Sequence, residues 1–289
     1  MEGDNQEDTG QRSASYGHLI AIGGAEDKES ELEILSRVYS LAPEGTDEIA
    51  VIATASGIPE EVLPTYEEAF ERLGASRVHS LPVRERQDAN DEDTIEIIRR
   101  CGIVFFTGGD QLRLTNVLGG SPLLKAVRAH YANGGVIAGT SAGAVAQSTT
   151  MIYNGGAADA LHKGAVKMSS GLGFVEGLII DSHFLERGRF TRLMEVGATN
   201  PEMLGVGLGE DAAVIVHRNR VLEALGSGHV IIVDTRDLAS SNVADLAMGE
   251  PVAIENVVMH ALISGHGFDI DERRYLGPED LRAGVEDRE

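Results

Sequence analysis

Val136-Ile137-Ala138-Gly139-Thr140-Ser141-Ala142-Gly143-Ala144 carries the reading of the fold. An apolar run of buried-strand character meets a serine flanked by glycines two residues away on each side, and small residues follow as for a helix start. In that context G-x-S-x-G is a nucleophile elbow. The turn holds its serine in a strained backbone conformation, with Oγ above the end of a sheet. The glycines are needed because a Cβ at either position would collide with the neighbouring strand or helix. The amide of Ala142 can then point at a developing oxyanion. The same letters also suit a tightly packed strand-to-helix turn, so the rest of the chain decides.

Working outward, apolar strands alternate with helices. Strands are expected at His18–Ile22, Glu48–Thr54, Val78–Val83 and Ile103–Thr107. Helices are expected at about 29–40, from Pro59 to Leu73, and over Asp93–Arg100, Leu112–Leu118 and Leu123–Ala132. Past the elbow, Val214–His217 and Val221–Ala224 form an expected hairpin, with further short strands at Val230–Val233 and Val257–Leu262. The pattern predicts an α/β fold, a mostly parallel sheet flanked by helices with a C-terminal antiparallel extension on the same core. Without a Pro/Ser-rich linker, residues 16–277 read as one catalytic domain. Residues 1–15 are expected to be a disordered tail, and 278–289 a loose acidic one.

Composition narrows the function. The 289 residues are 42% hydrophobic, enough for a sizeable core, and no apolar run approaches the roughly 20 residues of a membrane helix. The acidic start Met1-Glu2-Gly3-Asp4 is unlike a secretory signal. One cysteine, Cys101, excludes an internal disulfide framework and a multi-cysteine metal site, and reads as a buried thiol. A net charge of −22 argues against nucleic acid and suits a cationic or zwitterionic substrate, or simply a solvated acidic surface. The expectation is a soluble, cytoplasmic protein.

A serine nucleophile needs a base and a group to orient it. Of nine histidines, His183 in Asp181-Ser182-His183-Phe184 follows the apolar run Leu178-Ile179-Ile180, at a strand's C-terminal end where open sheets build sites. For the acid, Glu210 in Gly207-Leu208-Gly209-Glu210-Asp211 is first choice, with Asp211, Asp181 and Asp159 as rivals. The order Ser, His, acid differs from that of α/β-hydrolases and matches the class I glutamine-amidotransferase-like arrangement, where the nucleophile is cysteine. Phe106-Thr107-Gly108-Gly109-Asp110-Gln111 ends another strand, and its glycines can turn amides toward an oxyanion. Gly23-Gly24-Ala25-Glu26-Asp27 lacks the phosphate-loop patterns and reads as a turn bordering the cleft. Arg187, Arg189 and Arg192 follow the histidine and either hold an acidic substrate group or form a solvated helix face.

Assembled, these residues resemble the cyanophycinases, of the serine peptidase family that also contains aspartyl dipeptidase. The matches are Ile22–Lys28, Phe106–Gln111, Gly139–Ala144 and Asp181–Arg189, in the family's order over roughly residues 17–270. The resemblance implies hydrolysis of cyanophycin, a poly-aspartate with arginine on each β-carboxyl, to β-aspartyl-arginine dipeptides by an exopeptidase. It implies no metal or organic cofactor, and a homodimer. It makes Ser141 the nucleophile, His183 the base and Glu210 the acid, with Asp159 the second choice for the acid. The oxyanion is assigned to amides near Gly109, Asp110 and Ala142. Gln111, Asp181, Ser182, Arg187, Arg189 and Arg192 are assigned to the substrate groove. Ser182 departs from the family's glutamine beside the histidine. The alternatives are an α-aspartyl dipeptidase of the same family and a non-catalytic binding relative.

Overall fold

The computed structural model describes residues 17–218 and 220–286, so the expected N-terminal tail and Asn219 of the hairpin turn lie outside the described residues. Five parallel strands form one side of a nine-stranded sheet, out to its edge. Across it they run Leu19–Ile22, Val136–Thr140, Ile103–Phe106, Glu48–Ile52 and Arg77–Leu81. The first three are buried on both faces and Glu48–Ile52 is buried from Ile49 on, so these four read as continuous apolar runs. The edge strand Arg77–Leu81 buries only Val78 and Leu81 fully. Alternate residues divide between the two faces. Leu19, Ala21, Val104, Phe106 and Ile137 pack with Ile98 and Val127 of the helices Glu92–Arg100 and Pro122–Ala132. Ile20, Ile22, Ile103, Phe105 and Val136 pack with Leu35 and Phe70 of the helices Glu33–Ser40 and Pro59–Arg72. Each of the larger of these side chains contributes about 1.5–3 kcal/mol relative to exposure.

The expected hairpin is present as Ala212–Val216 and Val221–Gly226, with Val214 opposite Ala224. It pairs antiparallel to Leu19–Ile22 and continues through Gly267–Asp269 and Arg274–Leu276. The other late strands do not extend this sheet. Val230–Asp234 and Val258–Leu262 belong to a second, four-stranded sheet with Leu178–Asp181 and Leu204–Leu208. The strand Leu204–Leu208 is hard to read because two of its five residues are glycine. Packing explains one of them: a Cβ on Gly207 would lie 2.5 Å from the Phe184 ring, which fills that space.

Two boundaries also move. The first helix begins at Glu33 rather than Glu29, because the Asp27 carboxylate accepts the amides of Glu29, Ser30, Glu31 and Leu32 and holds them in a loop. Those amides, Ser30's first, hold the Asp27 carboxyl well below the usual range. At the other end, Pro278–Glu286 is a helix and not a loose tail. Proline suits a first helical turn, and Leu281 is buried against Val221 and Leu276.

Cys101 is buried just before the Ile103–Phe106 strand. Burial, and then the charge of Glu48, push its thiol up to about 12. Since the thiolate is the reactive form, the native protein at pH 8 is expected to leave Cys101 unalkylated by iodoacetamide, whereas the unfolded chain takes one equivalent. Mass analysis before and after denaturation checks this.

Candidate active site

The elbow takes shape as the sequence requires. Ser141 lies between the strand Val136–Thr140 and the short helix Ala142–Val145, at φ 52° and ψ −111°. Both glycines are sterically enforced. A Cβ on Gly139 would lie 2.6 Å from the Gly143 backbone, and one on Gly143 would lie 2.4 Å from the Phe106 carbonyl oxygen.

His183 and Glu210 arrive from the second sheet. Leu178–Asp181 and Leu204–Leu208 are parallel neighbours, with Asp181 opposite Gly207, so the residues just past both C-terminal ends meet. There Ser141 Oγ lies 3.0 Å from His183 Nε2, and His183 Nδ1 lies 2.7 Å from Glu210 Oε1. A carboxylate only accepts, so Nδ1 carries the hydrogen and Nε2 is left to accept from the serine hydroxyl. This arrangement can take the proton from Ser141 and stabilise the imidazolium that results.

The rival acids have other neighbours. Asp159 is exposed on a loop, where its carbonyl lies 3.0 Å from His162 Nδ1. Asp211 accepts from the Asp27 amide and the Ser227 hydroxyl.

Asp181 is 1% exposed and faces inward. Its Oδ1 accepts from Arg189 Nη1 at 3.0 Å, while Arg192 Nε lies 3.1 Å from Oδ2 as an ion pair outside hydrogen-bond geometry. Burial pushes the Asp181 carboxyl up against the opposing pull of Arg192 and then Arg189. Arg192 also donates to the Gly155 carbonyl at 3.0 Å, and Arg189 to the Ser182 carbonyl at 2.7 Å. Asp181, Arg189 and Arg192 thus pair with one another, Asp181 and Arg192 buried and Arg189 half-buried, where the sequence reading placed them along the groove. Ser182 is buried with them, and Arg187 alone of the three arginines is exposed. Gln111 is half-buried and donates to the Ile152 carbonyl.

Among the expected oxyanion donors, the Asp110 amide is committed to the Ala55 carbonyl at 2.9 Å. The Asp110 side chain caps the helix Gln111–Leu118 by accepting from the amides of Leu112 and Arg113. Ala142 opens the elbow helix, where an amide has no intrahelical acceptor. Gly109, at φ 140°, passes so close to Ala55 that a Cβ would lie 2.0 Å from its oxygen.

Gly24 was legible only as a turn, yet it abuts the histidine. A Cβ there would lie 2.4 Å from His183 Cε1 and 2.6 Å from Nε2, at φ +110°. Gly24→Ala is therefore expected to push the ring off Ser141 and lower kcat about 100-fold, the scale of an ångström's misplacement, as steady-state kinetics will read.

With this geometry in hand, the comparisons are specific. Curated cyanophycinases from Trichormus variabilis and Geminocystis herdmanii are 36% and 38% identical, over 89% and 86% of this chain and 87% and 91% of their own lengths. A crystal structure of a peptidase from an acI-B1 Actinobacterium shares the fold at a TM-score of 0.66 and 20% identity, covering 89% of this chain and 98% of its own. The pattern of peptidase family S51 matches residues 19–224. The chain belongs to peptidase family S51.

Proposed function

We propose that this peptidase hydrolyses cyanophycin to β-aspartyl-arginine dipeptides. The observation that carries the chemistry is the Ser141–His183–Glu210 chain of contacts at 3.0 and 2.7 Å above the sheet's end. His183 takes the Ser141 proton as Oγ attacks the aspartyl carbonyl, and Glu210 holds the imidazole and stabilises its cation. The amides of Gly109 and Ala142 receive the oxyanion. His183 then protonates the leaving amine, and water cleaves the acyl-enzyme. The curated relatives bear the name cyanophycinase, which supports the substrate. A net charge of −22 suits a polymer that presents guanidinium groups. No helix among the described residues is long and apolar enough to cross a membrane. A cytoplasmic homodimer acting from chain ends completes the proposal, and sedimentation velocity tests the dimer.

One observation favours a second reading, an α-aspartyl dipeptidase. With Arg189 and Arg192 turned inward to Asp181, Arg187 is the free guanidinium of the cluster, and a dipeptide carboxylate needs only one. Incubation with insoluble cyanophycin and, separately, with α-aspartyl dipeptides decides between them. Mass analysis showing β-aspartyl-arginine from the polymer supports the first reading. Cleavage of the dipeptides alone moves the assignment to the second.

A further inference from the structure

The turn after the first strand supplies no reacting group, yet together with the strand's last residue it touches every segment that carries the triad. The Ser141 amide donates to Ile22 O, the His183 amide to Gly23 O and the Asp211 amide to Gly24 O, each at 2.9 Å. The Asp27 amide returns to Asp211 Oδ1 at 3.3 Å. From the same turn, the Glu26 side chain runs beneath the elbow and is 3% exposed. Its Oε2 accepts from Thr140 Oγ1 at 2.6 Å, and its Oε1 accepts from the Tyr66 hydroxyl. Lys28 Nζ lies 3.4 Å from Oε1, donates to the Glu26 carbonyl at 2.9 Å and sits 5.4 Å over the Tyr66 ring.

Burying a carboxylate is costly unless each oxygen finds partners, and here both do. What distinguishes Glu26 from an ordinary satisfied core group is the partner it holds. Thr140 is joined by one peptide bond to Ser141, whose φ of 52° and ψ of −111° is a conformation that persists only where the surroundings impose it. We propose that Glu26 is a positioning residue for the serine. By anchoring Thr140 it keeps the strained elbow aimed so that Oγ stays within reach of His183 Nε2, with Tyr66 and Lys28 holding the carboxylate in place. Glu26 touches neither substrate nor reacting atoms and acts through Thr140. The proposal rests on Ser141 being the nucleophile.

The test compares Thr140→Val, which keeps the side chain's shape and removes the hydroxyl, with Thr140→Ser, which keeps the hydroxyl; Glu26→Gln is added. A Gln oxygen in place of two carboxylate oxygens cannot serve Thr140 and Tyr66 in the same way. Two readouts are taken: the rate of Ser141 labelling by a fluorophosphonate, and kcat and KM on the substrate that the wild type cleaves. Thr140→Val and Glu26→Gln are expected to slow labelling and kcat together by about 10- to 100-fold, the cost of a misaimed nucleophile, with KM within about twofold. Thr140→Ser is expected to restore both rates. A purely structural role would lower the thermal midpoint and leave the labelling rate of the folded protein unchanged; that result overturns the proposal, as does a Thr140→Ser variant as slow as Thr140→Val. If Glu26→Gln does not fold, the Thr140 pair decides. Ser141→Ala runs alongside: persistent labelling there overturns the nucleophile assignment and this proposal with it, whereas its silence beside a fully reactive Thr140→Val overturns the positioning role alone.

Discussion

Ser141→Ala is expected to lower kcat by about 10⁴- to 10⁶-fold, the largest effect of any single substitution in this protein. Alanine leaves the elbow in place and removes only the oxygen that lies 3.0 Å from His183 Nε2. KM should change little, because the hydroxyl contributes far more to the transition state than to substrate binding. His183→Ala should be nearly as severe, and the double variant no worse than either single one, because serine and histidine form one proton-transfer unit. Glu210→Gln is expected to cost about 10³- to 10⁴-fold, since an amide can present a hydrogen to Nδ1 and favour the wrong tautomer. Rates under single-turnover conditions check the series. Additive losses would show that Ser141 and His183 do not act together, and full activity in Ser141→Ala would remove the serine mechanism.

The second large effect is on stability. Asp181→Ala is expected to destabilise the fold by about 3–5 kcal/mol, the cost of stranding a buried partner of an ion pair. Arg189 and Arg192 would lose their shared carboxylate, and the Arg192 side chain is only 6% exposed. For a chain of this size the melting temperature should fall on the order of 10 °C. Urea unfolding of wild type and variant measures it. The outcome also separates two roles. An Asp181 that faced the groove to accept a substrate guanidinium would be nearly neutral to stability when replaced, so an unchanged midpoint would support the substrate role expected from the sequence. Replacing Asp181, Arg189 and Arg192 together by apolar residues should recover part of the loss, because no charge is then left unpaired.

The linear sequence determined what depends on neighbours along the chain. Strands buried on both faces announce themselves as unbroken apolar runs, and four of the five parallel strands were legible in that way; the edge strand Arg77–Leu81 is partly exposed and polar. The elbow was legible because its strained turn demands glycine at Gly139 and Gly143, where any side chain strikes backbone within 3 Å. Ser141 and His183 followed, each marked by the end of an apolar strand.

Tertiary structure decided what depends on partners. Glu210 separates from Asp159, Asp181 and Asp211 only once Leu178–Asp181 and Leu204–Leu208 lie side by side. The second of those strands hid behind glycines that make room for the Phe184 ring. The arginine cluster looked free because a run of charges in sequence carries no sign of facing inward, and Asp181 pairs with two of its three members, Arg192 buried and Arg189 half-buried. Glu26, anonymous in its turn, acquired its place through Thr140 and Tyr66, 114 and 40 residues away. Periodicity records how one element meets its surroundings. Which polar group meets which is a matter of distances between elements, set by packing across the whole fold.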